Sequence, residues 1–205
     1  MKYFLITFLL LSFSGRSQKA TTRTIDAGDI ESIVLNSEEI YKVSISTVPG
    51  NVISISSKTE GEYFNNISLD EKVRDNTLYL ESRFRKILQS GFDKLSAHKV
   101  FAMELELKIP ENMRVEIRSN VASVFMEGDY DEVLIQLKSG SAYLEDFQGD
   151  AVINTYNGNI EVETQNTLVE AESRHGAVAV PDSVVGNYSL KLMSINGNIK
   201  VRETK

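Results

Sequence analysis

From residue 113 to 204 the apolar positions fall into columns. Five segments align on Asn120, Gly140, Gly158, Gly176 and Gly197, at spacings of 20, 18, 18 and 21 residues. Two residues past each anchor stand Ala122, Ala142, Ile160, Val178 and Ile199, and four past it Val124, Leu144, Val162, Val180 and Val201. Five before it are Val115, Ile135, Ile153, Ala171 and Leu192, and seven before it Met113, Val133, Ala151, Val169 and Leu190. This alternation puts one side of each arm inside. Each repeat therefore reads as strand, tight corner, strand and connector. A period near 20 with agreement across columns is the pattern of a solenoid, in which one coil cannot bury its face alone. Three residues before the anchor the column shrinks and turns polar: Ile117, Leu137, Thr155, Ser173, Ser194. Glycine at the corner predicts a positive φ there, with Asn120 the best substitute.

A second arrangement keeps the same columns. Asn157-Gly158 and Asn196-Gly197 are strong hairpin signals, so an antiparallel β-meander or sandwich is the alternative. The residues before the anchors, Ser119, Ser139, Asn157, His175 and Asn196, include Ser and His, which suit a two-residue turn of positive φ poorly. A corner with one left-handed residue fits all five better. The predicted fold is thus all-β, a β-solenoid with coils of 18–21 residues. Residues 18–205 read as one domain: an irregular strand-rich part at 18–110 and regular repeats at 111–205. Strands are expected at 32–36, 40–47, 52–57, 77–83 and 100–109, with a turn at 48–51. The segment 84–98 interrupts the pattern. Its Ile87, Leu88, Phe92 and Leu95 suit a short amphipathic helix or a loop plugged into the end of the sheet.

Residues 1–17 stand apart. Lys2 precedes an eleven-residue apolar run from Tyr3 to Phe13, and Gly15-Arg16-Ser17 supplies small residues before Gln18. That is the plan of a cleaved secretory signal peptide, too short for a span of ~20 apolar residues. No later stretch is apolar enough to span a bilayer. The chain has no Cys, which excludes disulfides, thiolate metal sites and a lipid-anchored lipoprotein. Export to the periplasm or cell surface is the expectation. Without Lys2 and Arg16, 20 basic residues face 29 acidic ones, a net charge of −9. Such a surface repels nucleic acid and anionic lipid. The 41% hydrophobic and 25% charged composition is that of a globular protein.

The segments Ile153-Asn154-Thr155-Tyr156-Asn157-Gly158-Asn159-Ile160-Glu161-Val162 and Leu192-Met193-Ser194-Ile195-Asn196-Gly197-Asn198-Ile199-Lys200-Val201 resemble the putative-adhesin β-strand-repeat family of bacterial envelope proteins, abundant in Bacteroidetes. Lys108-Ile109-Pro110-Glu111-Asn112 is similar to that family's lead-in. The likeness covers residues 100–204. It implies a right-handed β-solenoid and offers no catalytic residue to carry over.

Candidate chemistry is sparse. His98 and His175 have no partner spacing for metal or base work. Glu145 and Glu163 share the column five past the anchor, with Glu161 beside them. Adjacent carboxylates would serve acid–base chemistry. The column, however, continues as Phe125, Pro181 and Arg202. Asp182-Ser183-Val184 fits a loose O-glycosylation pattern or an ordinary connector turn. The aromatics Phe125, Tyr143 and Tyr156 are expected to point outward, and Phe125 and Tyr143 are the candidate binding residues. No catalytic, cofactor or metal residue is assigned. The expected function is a non-enzymatic envelope scaffold or adhesin-like interaction module, meeting a protein or glycan of the envelope. A carbohydrate-active β-helix enzyme is the alternative, and a signalling accessory that binds another envelope protein a third reading.

Overall fold

A computed structural model describes residues 18–61, 67–84, 101–181 and 186–204. The expected signal peptide, the interruption from residue 85 on with His98, and Asp182-Ser183-Val184 lie outside the described residues. The strands are β1 (Gln18–Asp26), β2 (Ser32–Ser37), β3 (Ile40–Val48), β4 (Val52–Gly61), β5 (Ile67–Arg74), β6 (Thr77–Phe84), β7 (Phe101–Pro110), β8 (Met113–Ser119), β9 (Ser123–Ser139), β10 (Ala142–Asn157), β11 (Ile160–Thr164), β12 (Thr167–Ser173), β13 (Val178–Ala179), β14 (Tyr188–Asn196) and β15 (Ile199–Glu203). The five strands expected before residue 110 are all present, and β1 and β5 join them. No helix among the described residues is long and apolar enough to cross a membrane.

All fifteen strands belong to one mixed sheet that does not close on itself. It runs as two rows of strands. One row is β5-β6-β2-β8-β9-β10-β14-β12; the other is β1-β4-β7-β3-β9-β10-β11-β15-β13. The long strands β9 and β10 serve both rows, because each bends where its register shifts, near 128–130 and 145–150. Val115, Ile135, Ile153 and Leu192 from the first row and Val43, Val124, Leu144 and Val201 from the second meet in one core. The arms beside Gly158 do not form a hairpin. Thr155 pairs with Leu137 and Ser194, while Ile160 pairs with Ala142 and Ile199, all in parallel register. Among the described residues, antiparallel pairs occur only where β1, β4 and β5 close one end of the sheet.

The units do not stack in chain order. The unit β14–β15 lies between β10–β11 and β12–β13, so the penultimate repeat forms the end of the stack. The same inversion occurs at the other end, where β2–β3 sits between β6–β7 and β8–β9. This corrects two of the expected core positions. Val178 and Val180 are 43% and 36% exposed, because no unit follows β13 among the described residues. The same columns are buried at Ile160 and Ile199, and at Val162 and Val201.

The first repeat is shifted by two residues from its expected alignment. Val124, not Ala122, pairs with Ala142, and Val115 pairs with Val133. The true first anchor is therefore Ala122, and the corner spacings are 18, 18, 18 and 21 residues. Asn120 lies outside the anchor column and has no positive φ.

The anchor glycines also serve a different purpose from the one expected. Only Gly140 has a left-handed φ, of 122°; Gly158, Gly176 and Gly197 do not. What they share is close stacking. A Cβ on Gly158 would fall 1.8 Å from the carbonyl oxygen of Gly140, and one on Gly197 1.9 Å from that of Gly158. The left-handed residues sit mainly in the opposite corner, at Asn112 (φ 61°), Gly128 (φ 105°), Gly149 (φ 139°) and Asn166 (φ 59°).

The polar drift three residues before the anchor now has a cause. Thr155 Oγ1 donates to the Gly158 carbonyl at 2.9 Å, and Ser194 Oγ donates to the same oxygen at 3.1 Å. Ser173 Oγ donates to the Gly197 carbonyl at 2.6 Å. These hydroxyls satisfy corner carbonyls that a buried position would otherwise leave unpaired. One residue past the anchor, side chains bridge successive units. Asn159 N–H donates to Ser141 Oγ (3.0 Å), Asn198 N–H to Asn159 Oδ1 (2.8 Å) and Ala177 N–H to Asn198 Oδ1 (2.9 Å). This ladder follows the stacking order, and at Ala177 the side-chain acceptors end with the stack.

Candidate functional site

Buried columns fix which side chains are left for the outside. On the β3-β9-β10-β11 row, the residue three past each anchor faces outward. Phe125 therefore pairs with Tyr143 directly, where the sequence alignment had placed it beside Glu145. Their rings stack with centroids 5.0 Å apart and planes 16° from parallel. That is the strand spacing expressed in side chains. Lys42, on the neighbouring strand, holds its ammonium 5.5 Å from the Phe125 centroid, close enough for a cation–π contact. Phe125 remains 37% exposed. A recess of about 390 Å³ opens here, lined by Lys42, Ser44, Glu106, Glu127 and Glu145 beside the two rings.

The corrected register also regroups the acids. Glu127 pairs with Glu145, and Glu163 pairs with Arg202. The sequence alignment puts Phe125 in this column; the strand pairing puts Glu127 there instead. Glu145 and Glu163 do not form a direct pair, because β10 shifts register against β11 after Leu144. Asp146, with φ of 45°, takes up that shift. Arg202 Nη2 donates to Glu161 at 3.0 Å. Glu161 thus forms an ion pair with the guanidinium, and Glu163 stands on the strand position beside it, an arrangement that suits a charged surface. His175 is exposed at the terminal corner.

A larger concavity, about 650 Å³, lies on the opposite row near the anchor corner. Of its lining residues, only Tyr156 was expected from the sequence to point outward as an aromatic. Its floor is a row of side chains in register across four strands: Asn36, Arg118, Gln136 and Asn154. Arg118 Nε donates to Gln136 Oε1 at 3.3 Å, and its Nη2 pairs with Glu116 on the same strand. Asn120 Nδ2 reaches Glu38 at 3.5 Å. Tyr156, two residues beyond Asn154, is 55% exposed at the rim, with Lys138 beside it. The outward period-2 spacing of Gln136 and Lys138, and of Asn154 and Tyr156, is visible in the sequence. Asn36 is not reachable that way, since it belongs to an irregular unit that stacks out of chain order.

No protein-family model matches the sequence, and no curated protein is similar to it. Among solved structures, a putative cell adhesion protein from Clostridium sporogenes superposes over 91% of this chain and 100% of its own, with a TM-score of 0.65 and 15% identity. The two chains share a fold. A putative adhesin from Bacteroides fragilis aligns over 90% of this chain and 97% of its own, with a TM-score of 0.39 and 13% identity.

Proposed function

We propose that this chain is a non-enzymatic, exported adhesin-like module of a bacterial envelope. In this reading residues 18–205 form a single right-handed β-solenoid domain behind a removable signal peptide, in the periplasm or at the cell surface without a lipid anchor. It works by presenting its outer faces to a protein or glycan of the envelope. The observation that carries the reading is the Phe125–Tyr143 stack, a rigid aromatic pair standing outward between Lys42 and the Glu127–Glu145 pair. The core does not use these rings. Aromatic side chains give large contact area at low entropic cost and are enriched at interfaces.

The test compares wild type with the double variant Phe125→Ser, Tyr143→Ala. Loss of the stack costs about 1 kcal/mol, a fall in melting temperature of about 2–4 °C. Retention of the envelope partner on the immobilised protein is expected to fall far more, by at least tenfold. Equal retention by both proteins would overturn the reading. So would turnover of an acidic polysaccharide that Glu163→Gln abolishes.

A further inference from the structure

We propose that the groove over β2, β8, β9 and β10 binds an extended, uncharged β-1,4-linked oligosaccharide, laid across the strands along the stack. The proposal rests on the reading of the chain as a binding module and names a ligand class for a second face.

Spacing is the first argument. Asn36, Arg118, Gln136 and Asn154 occupy consecutive strands in register, so their functional groups repeat at the ~4.8 Å strand separation. An extended β-1,4-linked chain presents hydroxyl groups at a closely similar repeat, with alternate residues turned over. A helical α-1,4-linked chain curves away from such a straight row.

The chemistry fits the same ligand. A carboxamide offers two N–H donors and a two-lone-pair acceptor, which matches a hydroxyl group that both donates and accepts. Arg118 takes the carbonyl oxygen of Gln136, leaving its Nε2 donors for a ligand. The guanidinium is balanced by Glu116, and Glu38 lines the groove together with Lys138, so the groove has no net call for an anion. Tyr156, more than half exposed at the rim, supplies a flat ring for the apolar face of a pyranose and a hydroxyl for its edge. At about 650 Å³ the groove falls within the ~300–1,000 Å³ usual for ligand sites.

A peptide fits less well. β2, β8, β9 and β10 each have paired neighbours on both sides. Their backbone groups are committed to the sheet, so a peptide strand would find no ladder to extend. Recognition there falls to side chains.

The experiment is calorimetric titration of residues 18–205 with cellotetraose and chitotetraose, and with maltotetraose as the curved control. At least one β-1,4 tetrasaccharide is expected to bind at millimolar concentration or below, and maltotetraose at least tenfold more weakly. Tyr156→Ala and Asn154→Ala should each weaken binding at least tenfold without moving the melting temperature. The inference fails if neither β-1,4 sugar binds, or if maltotetraose binds equally. It also fails if the Tyr156 and Asn154 variants bind normally. Binding lost only in the Phe125, Tyr143 double variant would move the sugar to the other face, sinking this inference while sparing the module reading.

Discussion

The Cα hydrogen of Gly158 points at the carbonyl oxygen of Gly140, and a methyl group there would sit 1.8 Å from that oxygen. The contact is backbone on backbone, so no rotamer relieves it. Gly158→Ala is expected to destabilise by about 3 kcal/mol, at the upper end for overpacking. Gly158→Asn should be as damaging. If instead Asn is tolerated and Ala is not, the corner needs a left-handed φ rather than space. Asn120→Gly should stay within about 0.5 kcal/mol, since Asn120 lies outside the column. Chemical denaturation of the three variants separates these cases.

Two hydroxyls share one acceptor at that corner. Removing either Thr155 or Ser194 leaves the Gly158 carbonyl one hydrogen bond, and removing both leaves it none of the two. Thr155→Val and Ser194→Ala should each cost about 1 kcal/mol. The double variant should exceed their sum by roughly another 1 kcal/mol, the cost of an orphaned buried carbonyl. A strictly additive double-mutant cycle would count against the shared acceptor.

Stability should fall in alkali, with Tyr130 the main cause. Its ring is buried against Phe147, with centroids 5.5 Å apart, and its hydroxyl lies 3.0 Å from the carbonyls of Ile45 and Glu127. Burial pushes this phenol far above its usual range. A group whose folded pKa is raised stabilises fully below the unfolded value, near 10 for Tyr, and loses that contribution as pH climbs above it. The melting temperature of wild type should therefore drop above pH ~10 more steeply than that of Tyr130→Phe. Tyr41, raised to about 12 chiefly by its hydrogen bond to Glu104, acts in the same direction. It is exposed, and solvent screening makes its share small.

The end of the stack should be forgiving. Val180→Ser is expected to cost about 0.5 kcal/mol or less, because the side chain already meets solvent. Val201→Ala, at the equivalent column one unit inward, should cost about 2 kcal/mol. Backbone amides of β12 and β13 should exchange hydrogen faster than those of β14 and β15. Reversed protection would mean that the units stack in chain order.

Strand positions, inward columns and corners were legible in the sequence because they depend on period-2 alternation, which burial enforces locally. The two-residue slip of the first repeat was not. A slip of one residue turns every side chain to the wrong face, but a slip of two leaves all faces unchanged. Phe125 therefore reads as outward under either alignment, and only the strand pairing shows that it meets Tyr143. The order of the units was hidden for a similar reason. Val169, Ala171, Val178 and Val180 carry the apolar pattern of an interior unit although they lie at the end. Nor does Gly158 announce whether it serves φ or space, since both demands select the same residue. The groove was hidden because Asn36 and Asn154 come together only through the out-of-order stacking of β2.

The inserted unit has a consequence for the emerging chain. β12–β13 is made before β14–β15, yet its only described lateral neighbours are those two strands. In a chain that emerges N-terminus first, an interval separates residue 179 from residue 203. During that interval β11 has an open edge, and β12–β13 is the nearest unit that could pair with it. The finished arrangement requires that premature pairing to be avoided or undone, so that the last unit can slide into the gap. Synthesis from one end and assembly from one end are therefore different processes in this protein. A chain stalled near residue 181 would be poised to close the wrong stack.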